Sequence, residues 1–198
     1  MRLISVLSLV ATLLTGTAHA AATVGQAAPA FTASNSNGGT TSLADLKGKF
    51  VVLEWTNDGC PFVQKHYSGN MQGLQKDATD KGAVWLSVIS SAPGKQGNVD
   101  AKGANALSAS RKAHPSQVLL DPAGDLGQLY GAKTTPHMFI INPEGTLIYA
   151  GGIDSIASAD ADDIPKATPY VRLGLTEAMA GKAITHPVTT PYGCSVKY

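Results

Sequence analysis

The stretch Phe50-Val51-Val52-Leu53-Glu54-Trp55, followed by Cys60-Pro61-Phe62-Val63-Gln64-Lys65-His66, constrains this chain more than any other. A run rich in β-branched and aromatic residues reads as a buried strand. Proline directly behind the cysteine fits the first position of a helix, where its missing N–H is not needed. The junction therefore predicts a strand feeding into a helix, with Cys60 at the N-cap. There its sulfur meets unpaired N–H groups and the positive end of the helix dipole. A thiol so placed is acidified, and the thiolate is the reactive form of cysteine. The bland alternative is a small buried hydrophobe, and Asp58 works against ionisation because it adds a neighbouring negative charge. The junction favours chemistry.

The remaining pattern alternates strand and helix signals. Phe31–Ser34 and Thr40–Thr41 flank a Gly/Asn turn and predict a short hairpin, and Ser42 caps a helical turn over Leu43–Leu46. Val63, Tyr67, Met71, Leu74 and Ala78 share one helical face, which predicts a single helix weakened and bent by Gly69 and Gly73. Ala83–Ile89 is the second core strand. A helix from Val99 or Asp100 to Lys112 follows, stopped at His114-Pro115. Val118-Leu119-Leu120 leads into Asp121-Pro122, and Gly124–Tyr130 forms a short helix. Met138–Ile141 is the third core strand, and after the turn Asn142-Pro143-Glu144-Gly145 the segment Thr146–Ala150 pairs back on it. Gly151–Lys166 reads as an acidic surface insertion. Thr168 caps a last helix, Pro169–Ala180, and residues 182–198 form an irregular tail. This order predicts an α/β fold, a central mixed sheet with helices on both faces.

Residues 1–20 carry a different signal. Arg2, the apolar stretch Leu3–Leu14 and Ala18-His19-Ala20 form a secretory signal peptide with cleavage after Ala20, leaving one domain over 21–198. The expected location is secreted or periplasmic, with no membrane contact once processed. Charge is nearly balanced, 15 Lys and Arg against 14 Asp and Glu, without a basic stripe, so nucleic acid is an unsuitable partner. An exported chain sits where disulfides persist, and its two cysteines, Cys60 and Cys194, suggest a pair.

Several segments, taken in order, resemble the thioredoxin-like redoxins, and within them a peroxiredoxin-like subgroup related to alkyl hydroperoxide reductase and thiol-specific antioxidant. They are Val24-Gly25-Gln26 with Pro29-Ala30-Phe31, Ser42-Leu43 with Leu46-Lys47-Gly48-Lys49, Gly59-Cys60-Pro61, Leu120-Asp121-Pro122, Tyr130-Gly131-Ala132, Thr135-Pro136, Phe139–Gly145 and Gly193-Cys194-Ser195-Val196-Lys197. The resemblance implies a thioredoxin-like fold with an N-terminal β-hairpin extension and an irregular C-terminal tail. It matches Cys60 to the attacking cysteine of a Cys-x-x-Cys pair, whose second position is Val63 here. It matches Pro136 to the cis-proline opposite that cysteine, and it makes Thr135, Pro136 and Pro61 the expected substrate-contacting residues. Typical peroxiredoxins carry Thr or Ser three residues before the cysteine and Pro seven before. Asn57 and Leu53 stand there instead, with Thr56 one position out of register. Pro136 also stands near the place of a peroxiredoxin arginine. Losing those donors removes preorganised stabilisation of peroxide oxygens.

Thiol–disulfide exchange is therefore the leading expectation. Cys60 attacks a disulfide, or more slowly a peroxide, and Cys194 either resolves the product or serves as a static clasp. The expected partners are a protein or small-molecule disulfide or peroxide and a thiol reductant, with no cofactor. The runner-up from another class is copper or zinc binding through Cys60, His66, His137 and Cys194, although their spacing matches no ordered metal motif. A non-catalytic binding protein is the third reading. Asp154, Asp160, Asp162 and Asp163 match no calcium loop and read as a solvated insertion, Lys65 as a residue pointing to water, and His66 as solvent-facing or satisfied within its helix.

Overall fold

The computed structural model describes residues 22–198, so the signal peptide expected over 1–20 lies outside the described residues. The chain runs β1 (Thr32–Asn35), β2 (Thr40–Ser42), β3 (Val51–Trp55), α1 (Pro61–His66), α2 (Asn70–Asp80), β4 (Val84–Ile89), α3 (Ala101–Ser110), β5 (Gln117–Leu120) and α4 (Asp125–Tyr130). It continues with β6 (Thr134–Thr135), β7 (His137–Ile141), β8 (Leu147–Gly151), α5 (Tyr170–Met179) and β9 (Cys194–Ser195). The seven-stranded sheet has the order β2-β1-β5-β4-β3-β7-β8. Strands β5, β4 and β3 are parallel, as the intervening helices require, and β7, β8 and the hairpin add antiparallel edges. This is the α/β mixed sheet of the thioredoxin-like class, with the β1–β2 hairpin as its extension.

Alternation along β3 divides the core in two. Val51, Leu53 and Trp55 face one cluster with Leu86, Val88, Leu119, Phe139 and Ile141, closed by Leu126 and Tyr130 of α4. Val52 faces the other with Trp85, Met138 and Ile140, closed by Met71, Leu74 and Ala78 of α2 and by Val171 and Leu175 of α5. Trp55 and Trp85 are fully buried on neighbouring strands.

Glu54 sits on the second face with no exposure and receives four donors. Trp85 Nε1 (2.7 Å), Ser87 Oγ (2.9 Å) and Gln75 Nε2 (3.0 Å) bond one oxygen, and Tyr67 Oη (2.7 Å) bonds the other. Burial pushes its carboxyl above the ordinary value despite these bonds.

Four expectations change. The helix expected from Pro61 through Ala78 is two helices, broken over Tyr67–Gly69, where Gly69 takes φ 133°, a conformation no helix continues through. Val118–Leu120 is more than a lead-in: with Gln117 it forms β5, in the middle of the sheet. Thr168 does not cap α5, whose N-cap is Pro169; the Thr168 N–H bonds Ser155 Oγ at 2.9 Å instead. The acidic segment 151–166 is not all surface, because Gly151 to Asp154 are buried and only its later part is open. Ser42 does cap its turn, accepting from the Ala44 N–H at 3.3 Å.

Candidate active site

At the end of β3 the loop Thr56–Gly59 is held by its own polar groups. Asn57 Oδ1 accepts from the Gly59 N–H (3.0 Å), Asn57 Nδ2 donates to Gln96 O (3.0 Å), and Gln96 Nε2 donates to Gly59 O (3.0 Å). Asp58, expected to oppose ionisation of the cysteine, is instead ion-paired to Arg111, which offsets its charge. Cys60 is the N-cap of α1, in extended conformation with φ −89° and ψ 119°, and Pro61 occupies the first turn. The Cys60 carbonyl accepts the Gln64 N–H at 3.0 Å. The junction is built as its sequence dictates.

Three elements converge on the Cys60 sulfur. It lies 3.1 Å from Thr135 O, and the Thr135–Pro136 peptide is cis. β6 pairs antiparallel with β9, setting Cys194 directly opposite Thr135. Both cysteines are free thiols, and Cys194 is near enough to the Cys60 sulfur to bear on its ionisation. Gly193 makes this approach possible: its φ is 132°, and a Cβ there would collide with the Thr135 carbonyl.

The two thiols are not equivalent. Burial of Cys60 opposes its ionisation, but the neighbouring Cys194 thiol and amide, the Thr135 hydroxyl and the Val63 amide outweigh it and hold its pKa below the ordinary value. For Cys194, burial, the hydrogen bond to Cys60 and the charge that Cys60 carries push the thiol up to about 11. Such a pair titrates as a unit, with the first proton lost from Cys60. One sulfur ionises the more readily and its neighbour keeps its proton.

All the expected residues, Cys60, Cys194, Thr135, Pro136 and Pro61, meet here. Their accessibility departs from expectation. Cys60 has no exposure, and Thr135 and Pro136 are buried beneath the tail, which leaves Pro61 as the exposed member. The main-chain edge of Thr135 expected to meet a substrate is filled by the chain's own Cys194.

Sequence reasoning placed Lys65 in water, but it is buried. Its Nζ donates to Ile156 O (3.0 Å) and Ser158 Oγ (3.4 Å) and stands 3.8 Å from Asp154. The buried His66 is satisfied: Asn70 Nδ2 donates to Nδ1 (2.8 Å), which leaves Nε2 to donate to the Tyr192 hydroxyl (3.0 Å). The Tyr192 hydroxyl in turn donates to Asp154 Oδ1 (2.5 Å). Sequence reasoning missed Tyr192 and Asp154 as neighbours of the site, and no spacing connects them to it. His137 Nδ1 accepts the Lys133 N–H at 3.2 Å, and its ring lies on Phe139. Burial lowers both imidazoles to about 4, so both are neutral near pH 7. His66 and His137 do not join Cys60 and Cys194 in one metal-holding group. Among the described residues no group of three or more His, Cys, Asp or Glu is arranged to hold a metal ion. Nor is any helix among them long and apolar enough to cross a membrane.

The AhpC/TSA family matches residues 24–150, a span that includes Cys60, Thr135 and Pro136 but stops short of Cys194. No curated protein matches the chain. Among solved structures, an uncharacterized conserved protein from Geobacillus kaustophilus superposes with a TM-score of 0.78 at 21% identity, covering 89% of this chain and 92% of its own. A hypothetical protein from Sinorhizobium meliloti 1021 gives 0.75 at 19% identity, covering 90% and 96%. The thioredoxin domain of a thiol-disulfide oxidoreductase from Bacteroides vulgatus gives 0.54 at 21% identity, covering 73% and 96%. These likenesses concern the fold.

Proposed function

Because this chain belongs to the AhpC/TSA family and is a thiol-dependent oxidoreductase of the redoxin type, we propose that it is an exported protein that exchanges disulfides through Cys60 and Cys194. The observation that carries this reading is the contact between two thiols of opposite character, one held below its ordinary pKa and its neighbour raised to about 11.

The Cys60 thiolate attacks one sulfur of a substrate disulfide, forming a mixed disulfide and expelling the other sulfur as a thiolate. Cys194 then gives up its proton, to that leaving thiolate or to solvent, and attacks the Cys60 sulfur. The substrate's second thiolate departs, and the substrate is reduced by two electrons while Cys60–Cys194 is oxidised. A dithiol or two monothiols return both cysteines to thiols and are themselves oxidised to a disulfide. With a peroxide, Cys60 takes the distal oxygen as sulfenic acid and releases an alcohol or water. Cys194 then condenses with it, releasing water. Asn57 and Leu53 give no hydroxyl or proline in the peroxiredoxin positions, so peroxide is the slower substrate in this reading.

Cys60 is reached only when β9 moves off β6, so the tail must open for the first step and close for the second. Its closed position favours the second step by holding the resolving thiol in place.

The test is trapping. Cys194→Ser protein, reduced and then mixed with oxidised glutathione, should accumulate a glutathione adduct on Cys60 detectable by intact mass and peptide mapping. The unaltered protein should pass to the internal disulfide instead. Adducts absent from Cys60, together with turnover no faster than that of Cys60→Ser, would leave a non-catalytic protein.

A further inference from the structure

The segment Tyr192–Tyr198 crosses the site and is fastened on both sides of Cys194. Upstream, the Tyr192 hydroxyl is the middle of a relay from Asn70 through His66 to Asp154, inside the protein, while its ring meets Phe62 edge-on at 5.9 Å. His66 and Phe62 belong to α1, the helix that Cys60 caps, so this anchor ties the tail to the nucleophile's own helix. Asp154 is itself fixed: Oδ1 also accepts the Ile156 N–H at 3.1 Å, and Oδ2, without a hydrogen-bond partner, faces Lys65 and His66 at 3.8 Å each. Downstream, the Val196 N–H donates to Lys133 O (3.1 Å), the Ala92 N–H donates to Lys197 O (2.8 Å), and the Tyr198 hydroxyl donates to Ala132 O (2.7 Å). The Tyr198 ring lies against α4 where a Cβ on Gly127 would occupy the same space as its hydroxyl. That seat is kept in place by Asp121, which accepts from the Leu126 (3.2 Å) and Gly127 (2.9 Å) N–H groups.

A two-residue strand pair is too short to hold its register alone. Side-chain anchors have to supply what β6–β9 lacks, and the two tyrosine hydroxyls are placed to do so. We propose that residues 192–198 are a strap that closes over Cys60 in the reduced protein, and that Tyr192 and Tyr198 are positioning residues that seat Cys194 against it. The inference rests on the dithiol reading for the purpose of the strap, but the closure itself is independent of it. The strap shuts out bulky disulfides until it opens, and it raises the effective concentration of Cys194 at Cys60 once the first exchange has occurred. Substrates are then selected by their ability to displace β9 from Thr134–Thr135.

Tyr192→Phe and Tyr198→Phe remove one hydroxyl each and keep both rings packed. A part-buried hydrogen bond to a charged acceptor is worth enough to shift strap opening about tenfold, and the one from the half-exposed Tyr198 to a neutral carbonyl a few-fold. In reduced protein without denaturant, labelling of Cys60 by a bulky maleimide should rise about tenfold in Tyr192→Phe and a few-fold in Tyr198→Phe. The equilibrium constant for forming Cys60–Cys194 from glutathione disulfide should fall by a similar factor. Thermal midpoints of the same variants in a Cys60→Ser/Cys194→Ser background control for a general loss of stability and should move by only a few degrees. Labelling rates unchanged in both Phe variants would overturn the strap, even in a protein that turns over normally. Faster labelling in a protein without redox turnover would keep the strap and remove the dithiol function.

Discussion

Joining Cys60 to Cys194 closes a loop of about 135 residues, which in the chain-entropy model removes about 17 cal/mol/K from the unfolded state, or about 5 kcal/mol at 25 °C. The folded protein has little to lose in return, because the β6–β9 pair already sets Cys194 opposite Thr135, whose carbonyl lies 3.1 Å from the Cys60 sulfur. Oxidation should therefore deliver most of that figure. At about 2–4 °C per kcal/mol for a domain of this size, the midpoint of thermal unfolding should rise by about 10–20 °C. The same quantity should make the folded disulfide harder to reduce than the unfolded one, by about 110 mV. The assay is calorimetry on reduced and oxidised protein in parallel, with Cys194→Ala as the form that cannot close. A rise of under about 3 °C, or a fall, would refute the reasoning. It would mean that closing the bond strains the fold, or that the tail is not seated on β6.

Three other expectations follow from particular contacts. Replacing Cys194 by Ala removes the neighbouring thiol that favours the Cys60 thiolate and keeps the backbone N–H, so the Cys60 titration midpoint should move up; a midpoint that stays or falls counts against the assigned donor. Glu54→Ala should cost on the order of 3–5 kcal/mol in a denaturant titration because it strands Trp85, Ser87, Gln75 and Tyr67 donors in the core. Glu54→Gln, which keeps an acceptor oxygen, should cost clearly less, and equal losses would deny the network. His66 and His137 have folded pKa values lowered to about 4, so they bind protons less readily folded than unfolded. Their contribution to stability is complete above about pH 6.5 and is lost as pH falls through about 4. Urea midpoints that drop over that window in the native chain, and less in His137→Gln, are the expected result; a flat profile would contradict burial of neutral rings.

What could be read from the sequence was what is encoded locally. The β3–Cys60–Pro61 junction needs only a strand pattern and a proline at the helix start, and both lie within a dozen or so neighbouring residues. The mixed sheet followed from the alternation of elements. The break between α1 and α2 was half visible in Gly69, since glycine marks a weak point without saying whether a helix bends or stops. β5 escaped as a core strand because Val118–Leu120 is short and runs into Asp121-Pro122.

The tail was illegible for a different reason. Two residues of β9 pair with two of β6 across about sixty positions, and neither stretch has any periodicity to betray it. In the sequence Lys65, five residues beyond Cys60, and Asp154, in an acidic segment matching no calcium loop, read as solvated. Here they face one another at 3.8 Å under the strap, a long-range arrangement no local pattern encodes. The resemblance to redoxins marked Thr135 as a substrate edge, but not that the chain's own Cys194 would lie against it.

Titrating the thiolate absorbance of the reduced protein, with Cys60→Ser and Cys194→Ser separating the two sulfurs, reaches the central claim most directly. Optical titration reads a buried sulfur without requiring a reagent to enter. The account predicts a Cys60 midpoint below the ordinary 9.0 of a cysteine thiol and a Cys194 midpoint near 11 while Cys60 is present. Two sulfurs titrating together at the ordinary value, or Cys194 ionising first, would contradict it.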